Sequence, residues 1–374
     1  MKWTKLLPIS LFVIVVAGAI IPPTAFSSGE RTYITALTGN VQIKRRFWWG
    51  YRQADLNETL WREDKLWIRD TQSSATVICN SDPQQRWTVP RRQDVPVTEG
   101  CPNTSYRPED NLAPGRDPKN ENLPYLIRSR NSALFLDEPL RLSWNPVDGA
   151  THYDVEIRYL ARTILKERFL DTAAEFQDLS DLRNDRDYFV IVTASTGISA
   201  PESPNLDPAP IISFLNDEQA REVRRRIAEI ESWQEAKEAK VFAIADLYRN
   251  YGLYQSAIDV LKAAIEDGTG NVSIHQLQSE IYLEVGLETA ARESYLNALR
   301  VAETEGNLAY QANFQEQLGK ISYYLEDYRE AITWLSSAID SYQDLLDVSV
   351  PENQEKLSDL EELILDSQNR IPTP

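Results

Sequence analysis

Apolar residues change their spacing twice along this chain, and the changes divide it. In "RTYITALTGNVQIKRR" apolar and polar positions alternate on either side of Gly39, which predicts a strand pair. "DKLWIRDTQSSATVICN" places Leu66 and Ile68, then Ala75, Val77 and Cys79, at period two. Pro and Gly punctuate the remainder and no helix-period run appears, so residues 28–124 read as a small all-β unit ending in a linker, Asn103 to Pro124, rich in Pro, Asn and Asp. Over residues 125–215 three further alternating runs follow: Leu140, Leu142 and Trp144; Tyr153, Val155 and Ile157 after the turn "NPVDGA"; and Tyr188, Val190 and Val192. Short strands at regular spacing predict a β-sandwich. From residue 216 the period becomes helical, as in the stripe Val223, Ile227 and Ile230. The expected fold is therefore multidomain α+β with separate domains: a small all-β domain, a β-sandwich and an α-helical solenoid.

The helical part repeats. Ala257, Leu261 and Ala264 recur as Ala291, Tyr295 and Ala298, 34 residues on, and again as Ala331, Leu335 and Ala338, 40 further on. A period of that size marks stacked helical hairpins, in which a small residue lets two helices approach and a larger one four positions on fills the gap. The six extra residues fall in "ETEGNLAYQANF", lengthening helices or loop. Asn216 with Gln219 reads as an N-capping pair, and Leu357, Leu360 and Ile364 give the last helix one apolar face; both end helices read as solvating caps.

Three in-register copies between Lys237 and Leu346 resemble a tetratricopeptide repeat array, although Pro is absent from the end of each copy. The resemblance implies a groove lined by the first helix of each copy. That groove is expected to expose Phe242, Asp246 and Arg249 from copy one, Gln276, Glu280 and Leu283 from copy two, and Glu316, Lys320, Tyr323 and Tyr324 from copy three. These are mostly acidic or aromatic, so the basic clamp that grips a C-terminal carboxylate in some members is missing, and a protein partner offering a basic or aromatic segment is the expected ligand. A spacer or dimer surface is the other reading of the array. The order "LTGNVQIKR" then "ADLNETLWREDKLWIRDTQSSATVIC" resembles a FecR-like domain of exported bacterial proteins, with Trp61 and Arg62 where that pattern has a small residue and Gly. The string L-x-W-x-P-V-x-G-A-x-x-Y-x-V resembles a fibronectin type III-like domain, which implies a spacing role.

Composition narrows the functions. The chain has 374 residues and a formal net charge of -18, which repels nucleic acid. The acidity is uneven: ten basic against twenty-four acidic side chains lie from Lys237 to the end, against fourteen and thirteen from Gly29 to Pro124. The opening has Lys2 and Lys5, an apolar run from Leu6 to Ile21 and then small residues, the layout of a secretory signal over residues 1–27. The run is sixteen residues long, short of the ~20 a spanning helix needs. A membrane contact is expected only if this segment stays uncleaved as an anchor. The protein is thus expected outside the cytoplasm, in a periplasm or extracellular envelope. Cys79 and Cys101 are the only cysteines; an exported chain lets them form a disulfide, with free thiols or metal ligation as the alternatives.

Catalytic chemistry finds little to work with. His152 and His275 are the only histidines and fall in different units, which removes most triad arrangements. No G-x-S-x-G, H-E-x-x-H or phosphate-loop spacing occurs, so neither enzyme activity, nor a metal, nor a cofactor is expected. The expected function is a non-enzymatic extracytoplasmic adaptor. Two alternatives stand beside it: a cell-wall glycan-binding module using Trp48 and Trp49 of "RFWWGYR", and an envelope signalling protein.

Overall fold

The computed structural model describes residues 30–45, 48, 50–105, 122–199, 210–347 and 349–371. The apolar N-terminal run, Trp49 and most of the linker lie outside the described residues. The chain is β in its N-terminal part and helical in its C-terminal part. Among the described residues no helix is long and apolar enough to cross a membrane.

The front unit holds β1 (Thr32–Thr38), β2 (Val41–Lys44), β3 (Arg52–Gln53), β4 (Thr59–Leu60), β5 (Lys65–Ile68), β6 (Ser74–Ile78), β7 (Arg86–Thr88) and β8 (Val95–Pro96). They form two antiparallel sheets, ordered β4-β1-β6-β7 and β3-β2-β5-β8. Ile34, Leu60, Ala75 and Val77 of the first share a core with Val41, Ile43, Leu66, Ile68 and Val95 of the second. The strands on either side of Gly39 are both present but lie in different sheets, a correction to the expected pair. Gly39 makes the crossing: its φ is +69°, and a Cβ there would lie 2.3 Å from Ser73 Oγ. Cys79 and Cys101 are disulfide-bonded, joining the end of β6 to the loop after a short 3-10 turn, Val97–Glu99.

The middle unit holds β9 (Leu126–Arg128), β10 (Ser132–Leu134), β11 (Leu140–Trp144), β12 (Tyr153–Tyr159), β13 (Arg162–Phe169), β14 (Ala173–Phe176), β15 (Tyr188–Ala194) and β16 (Ile211–Phe214). A five-stranded sheet, β10-β16-β15-β12-β13, packs on a three-stranded one, β14-β11-β9. The alternation predicted at Leu140, Leu142 and Trp144 and at Tyr153, Val155 and Ile157 points these side chains into one core, where Trp144 meets Tyr153 and Phe169 edge-on.

The helices are α1 (Asp217–Glu231), α2 (Lys237–Asn250), α3 (Tyr254–Glu266), α4 (Val272–Glu284), α5 (Glu288–Thr304), α6 (Leu308–Tyr324), α7 (Tyr328–Leu345) and α8 (Pro351–Arg370). Asn216 and Gln219 close a reciprocal capping box on α1. Pairs α2–α3, α4–α5 and α6–α7 pack internally, and each second helix packs on the helix that follows it. The repeating alanines, Ala257, Ala291 and Ala331, are fully buried at these contacts. The six additional residues go into helix: α5 and α6 have 17 residues each where α3 and α4 have 13. The turn slots at Gly252 and Gly286 have φ of 70° and 76°, and Glu326 fills the third at 59°, a left-handed turn that costs a side-chain-bearing residue more than glycine.

Candidate functional site

The candidate site is the face lined by α2, α4 and α6. It is covered, and by this chain's own front unit. β1 shows why: its burial runs unbroken from Thr32 to Thr35, so the strand is enclosed on both faces. Ile34 enters the front core, while Tyr33 and its cross-strand partner Ile78 point the other way and join a cluster with Phe242, Leu277 and Ile281. The Tyr33 and Phe242 ring centres are 5.0 Å apart.

Charge sits beside these rings. Arg31 places Nε 3.5 Å from Asp246 Oδ1 and Nη2 2.5 Å from Glu280 Oε2, so one guanidinium bridges α2 and α4. Ser81 Oγ donates to Asp246 Oδ2 at 2.5 Å and Gln276 Nε2 to Glu280 Oε1 at 2.9 Å, while Arg249 pairs with Glu284. Burial pushes the Asp246 carboxyl above the ordinary aspartate range against the pull of Arg31. Burial acts on Glu280 in the same sense, but Arg31 and Arg249 outweigh it and hold that carboxyl below its ordinary value.

The contact continues along the array. Arg86 pairs with Glu235 at 2.6 Å and lies 4.4 Å from the Trp233 ring centre. Asn57 Nδ2 donates to the Glu238 carbonyl at 3.1 Å, and Asn307 Nδ2 to Asp55 Oδ2 at 2.7 Å. Trp48 bridges to Leu346 through the backbone and packs against the cluster containing Tyr342, Leu346 and Leu360. The middle unit docks elsewhere, on the turns within the first two helical pairs. There Ala133 N donates to the Gly252 carbonyl at 2.8 Å, Arg130 Nε to Val285 O at 3.0 Å and Tyr125 Oη to Gly286 O at 2.5 Å.

The expected open groove is thereby corrected. Phe242 and Asp246 are 1% and 0% exposed, and Arg249 is buried as well. Leu283 packs toward the cluster between the second and third pairs. Glu316, Lys320 and Tyr323 face α8: Lys320 and Lys356 lie 2.8 and 2.7 Å from Glu316, Tyr342 Oη donates to it at 2.6 Å, and Tyr323 Oη donates to Asp366. Of the ten, Tyr324 retains the most exposed aromatic ring, at 37%. Trp48 is half-buried against the last helices. His275 is buried in α4, and burial followed by Arg300 lowers its pKa. Among the described residues no group of three or more His, Cys, Asp or Glu is arranged to hold a metal ion.

Two sequence signals point to the covered face. "TYIT" in β1 and "VIC" at the end of β6 carry apolar residues on consecutive positions, the mark of strands buried on both sides.

Glu316 yields a measurable consequence. Burial raises its pKa, but Lys356 and Lys320 outweigh burial and hold it at about 2. A carboxyl depressed from the usual 4.5 to about 2 contributes stability that is complete above its unfolded pKa and is lost as pH falls through the folded one. Glu316→Gln is expected to cost about 2 kcal/mol at neutral pH, less than a fully buried pair because both lysines are partly exposed. In urea titrations of the two proteins, the difference should vanish as pH falls toward about 2; a pH-independent difference would exclude the ion pairs as its cause.

No family model matches this chain, and no curated protein matches it. Among solved structures it is similar to the crystal structure of BtubC (BKLC) from P. vanneervenii, with 14% identity over 42% of this chain and 78% of that one, at a TM-score of 0.31. At that level the likeness carries no argument.

Proposed function

We propose that this protein is an exported, non-enzymatic scaffold whose helical half is a tetratricopeptide-type array serving as an adaptor for protein partners. Its front unit reads as a FecR-like domain and its middle unit as a fibronectin type III-like spacer. One observation carries the proposal. Side chains from two successive helical pairs converge on an Arg31–Tyr33 segment of another unit, so the array receives a basic and aromatic element from a β domain. The disulfide is compatible with export. Trp48 is committed to packing on the last helices, which favours the adaptor over the wall-glycan reading.

The test is photo-crosslinking in living cells, with a crosslinkable residue at Lys262, Leu308 or Tyr324 of the full chain. The expected result is one discrete protein adduct in the fraction outside the cytoplasm. Adducts absent from all three positions, or a chain retained in the cytoplasm, would sink the adaptor.

A further inference from the structure

The front unit seats its Arg31 and Tyr33 where a groove ligand would lie, and it leaves the site incompletely satisfied. Asp246 Oδ1 is buried and accepts no hydrogen bond, because Arg31 Nε stops 3.5 Å away. Glu284 Oε2, beside Arg249, is likewise buried without a hydrogen-bond partner. Buried carboxylate oxygens without donors are costly, and native structures rarely leave them so. β1 cannot bring the guanidinium closer by sliding, since both its edges are fixed, to β4 through Thr32 and Tyr33 and to β6 through five residue pairs.

We infer that the α2–α4 face is a recognition site for an extended segment carrying arginine two residues before an aromatic ring, and that Arg31 and Tyr33 are a built-in occupant which holds the site shut. The inference rests on the adaptor reading and adds the ligand's chemistry and the device that regulates access. The charges agree with it. Arg31 apart, the cation that the array itself sets beside Asp246, Glu280 and Glu284 is Arg249, and the array that carries them is strongly acidic, which favours a cationic competitor. Spacing agrees too. Residues two apart in extended chain share a face, and Arg31, just before β1 and held there by Ser81, reaches the carboxylates while Tyr33 covers Phe242. A segment free of the sheet could place its guanidinium squarely on Asp246, a geometry the tethered strand does not reach. The contacts at Asn57, Arg86 and Trp48 then set how readily the front unit yields.

The experiment uses the full chain and a labelled nine-residue peptide copying residues 30–38, with a control peptide in which the arginine is glutamate. Arg31→Glu sets a carboxylate against Asp246 and Glu280 and should raise amide hydrogen exchange in α2 and α4. It should also bind the native peptide at least tenfold more tightly than the unmodified chain does, and the control peptide not measurably. Adding Glu280→Lys should abolish the gain. If Arg31→Glu does not fold, Arg31→Ala serves, with the same direction and a smaller gain. Faster exchange without peptide binding would overturn the inference, as would unchanged exchange in both variants. Neither readout depends on finding a cellular partner, so a failed crosslinking search sinks the adaptor while leaving the peptide result to stand or fall by itself.

Discussion

Phe242→Ala should cost about 3–5 kcal/mol, the range for removing a fully buried aromatic ring, and should loosen two units at once. The ring is 1% exposed and belongs to a cluster built from α1, α2, α3 and α4 on one side and from Tyr33 and Ile78 of the front sheet on the other. A cavity there is bounded by separate elements, each fixed by its own hydrogen bonds, so none can collapse into it cheaply. Tyr33→Ala removes the facing ring, also buried, and takes a packing partner from Phe242 and its neighbours on the helices, so its cost falls in the same range. The two rings touch, so their effects should not add: the double variant should fall short of the sum by 0.5 kcal/mol or more. Denaturant unfolding followed by hydrogen exchange, in α2 for the array and in β1 for the front sheet, would measure both. Strict additivity, or a Phe242→Ala cost within about 1 kcal/mol, the size of an ordinary point substitution, would show that the units are not packed together through this ring.

Much of the fold could be read from spacing, and the reasons it stopped short are physical. Ala257, Ala291 and Ala331 announced themselves because helix packing is local and recurs from one helical pair to the next. Leu66, Ile68, Ala75 and Val77 did so because a sheet with one wet face alternates. Periodicity records that a face is apolar; it does not record what covers it. Arg31 and Asp246 are brought together over more than two hundred residues, and no local pattern encodes that meeting. The groove assignment placed Phe242, Asp246 and Glu280 on one side of the array, and they do meet around one segment. It went wrong on exposure, because the covering element belongs to the same chain. Copy three fails differently: Glu316 and Tyr323 turn toward α8, where Lys356 and Asp366 meet them, whereas spacing marks only the apolar face of that helix. At Gly39 the turn was legible but the partners were not, since two adjacent strands can pair with each other or part into two sheets, and here close approach to Ser73 accompanies the second outcome.

Glu58→Gln is the second large effect expected, and its cause is charge rather than volume. Glu58 is fully buried and accepts from Arg45 Nη2 at 2.6 Å, from Arg52 and from the Asp55 backbone N–H at 3.0 Å. Arg45 also donates to Asp64 Oδ2 at 2.6 Å and Arg52 to Asp55 Oδ2 at 3.1 Å, so two guanidinium groups share three carboxylates, of which Glu58 is fully buried and contacts both. Removing the fully buried charge while keeping the shape leaves Arg45 with Asp64 and Arg52 with the more exposed Asp55, which costs about 2–3 kcal/mol, short of the about 3–5 for a buried charge left with no partner, whereas an exposed pair contributes about 0–1. Glu175→Gln supplies that comparison, because its pair with Arg141 on the middle unit is exposed. The damage should also travel. Arg52 lies 5.3 Å from the Trp48 ring centre and 5.7 Å from that of Tyr310, and its partner Asp55 accepts from Asn307 at the start of α6. A displaced Arg52 therefore loosens the far end of the front unit from the helices as well as the unit itself. Hydrogen exchange should accelerate in the first turn of α6 in Glu58→Gln and stay unchanged in Glu175→Gln. Raising the salt concentration should rescue neither effect, since a buried network is poorly screened. A Glu58→Gln cost no larger than that of Glu175→Gln would mean that the network adds nothing beyond a surface pair, and that the front unit is held on the helices by its apolar contacts alone.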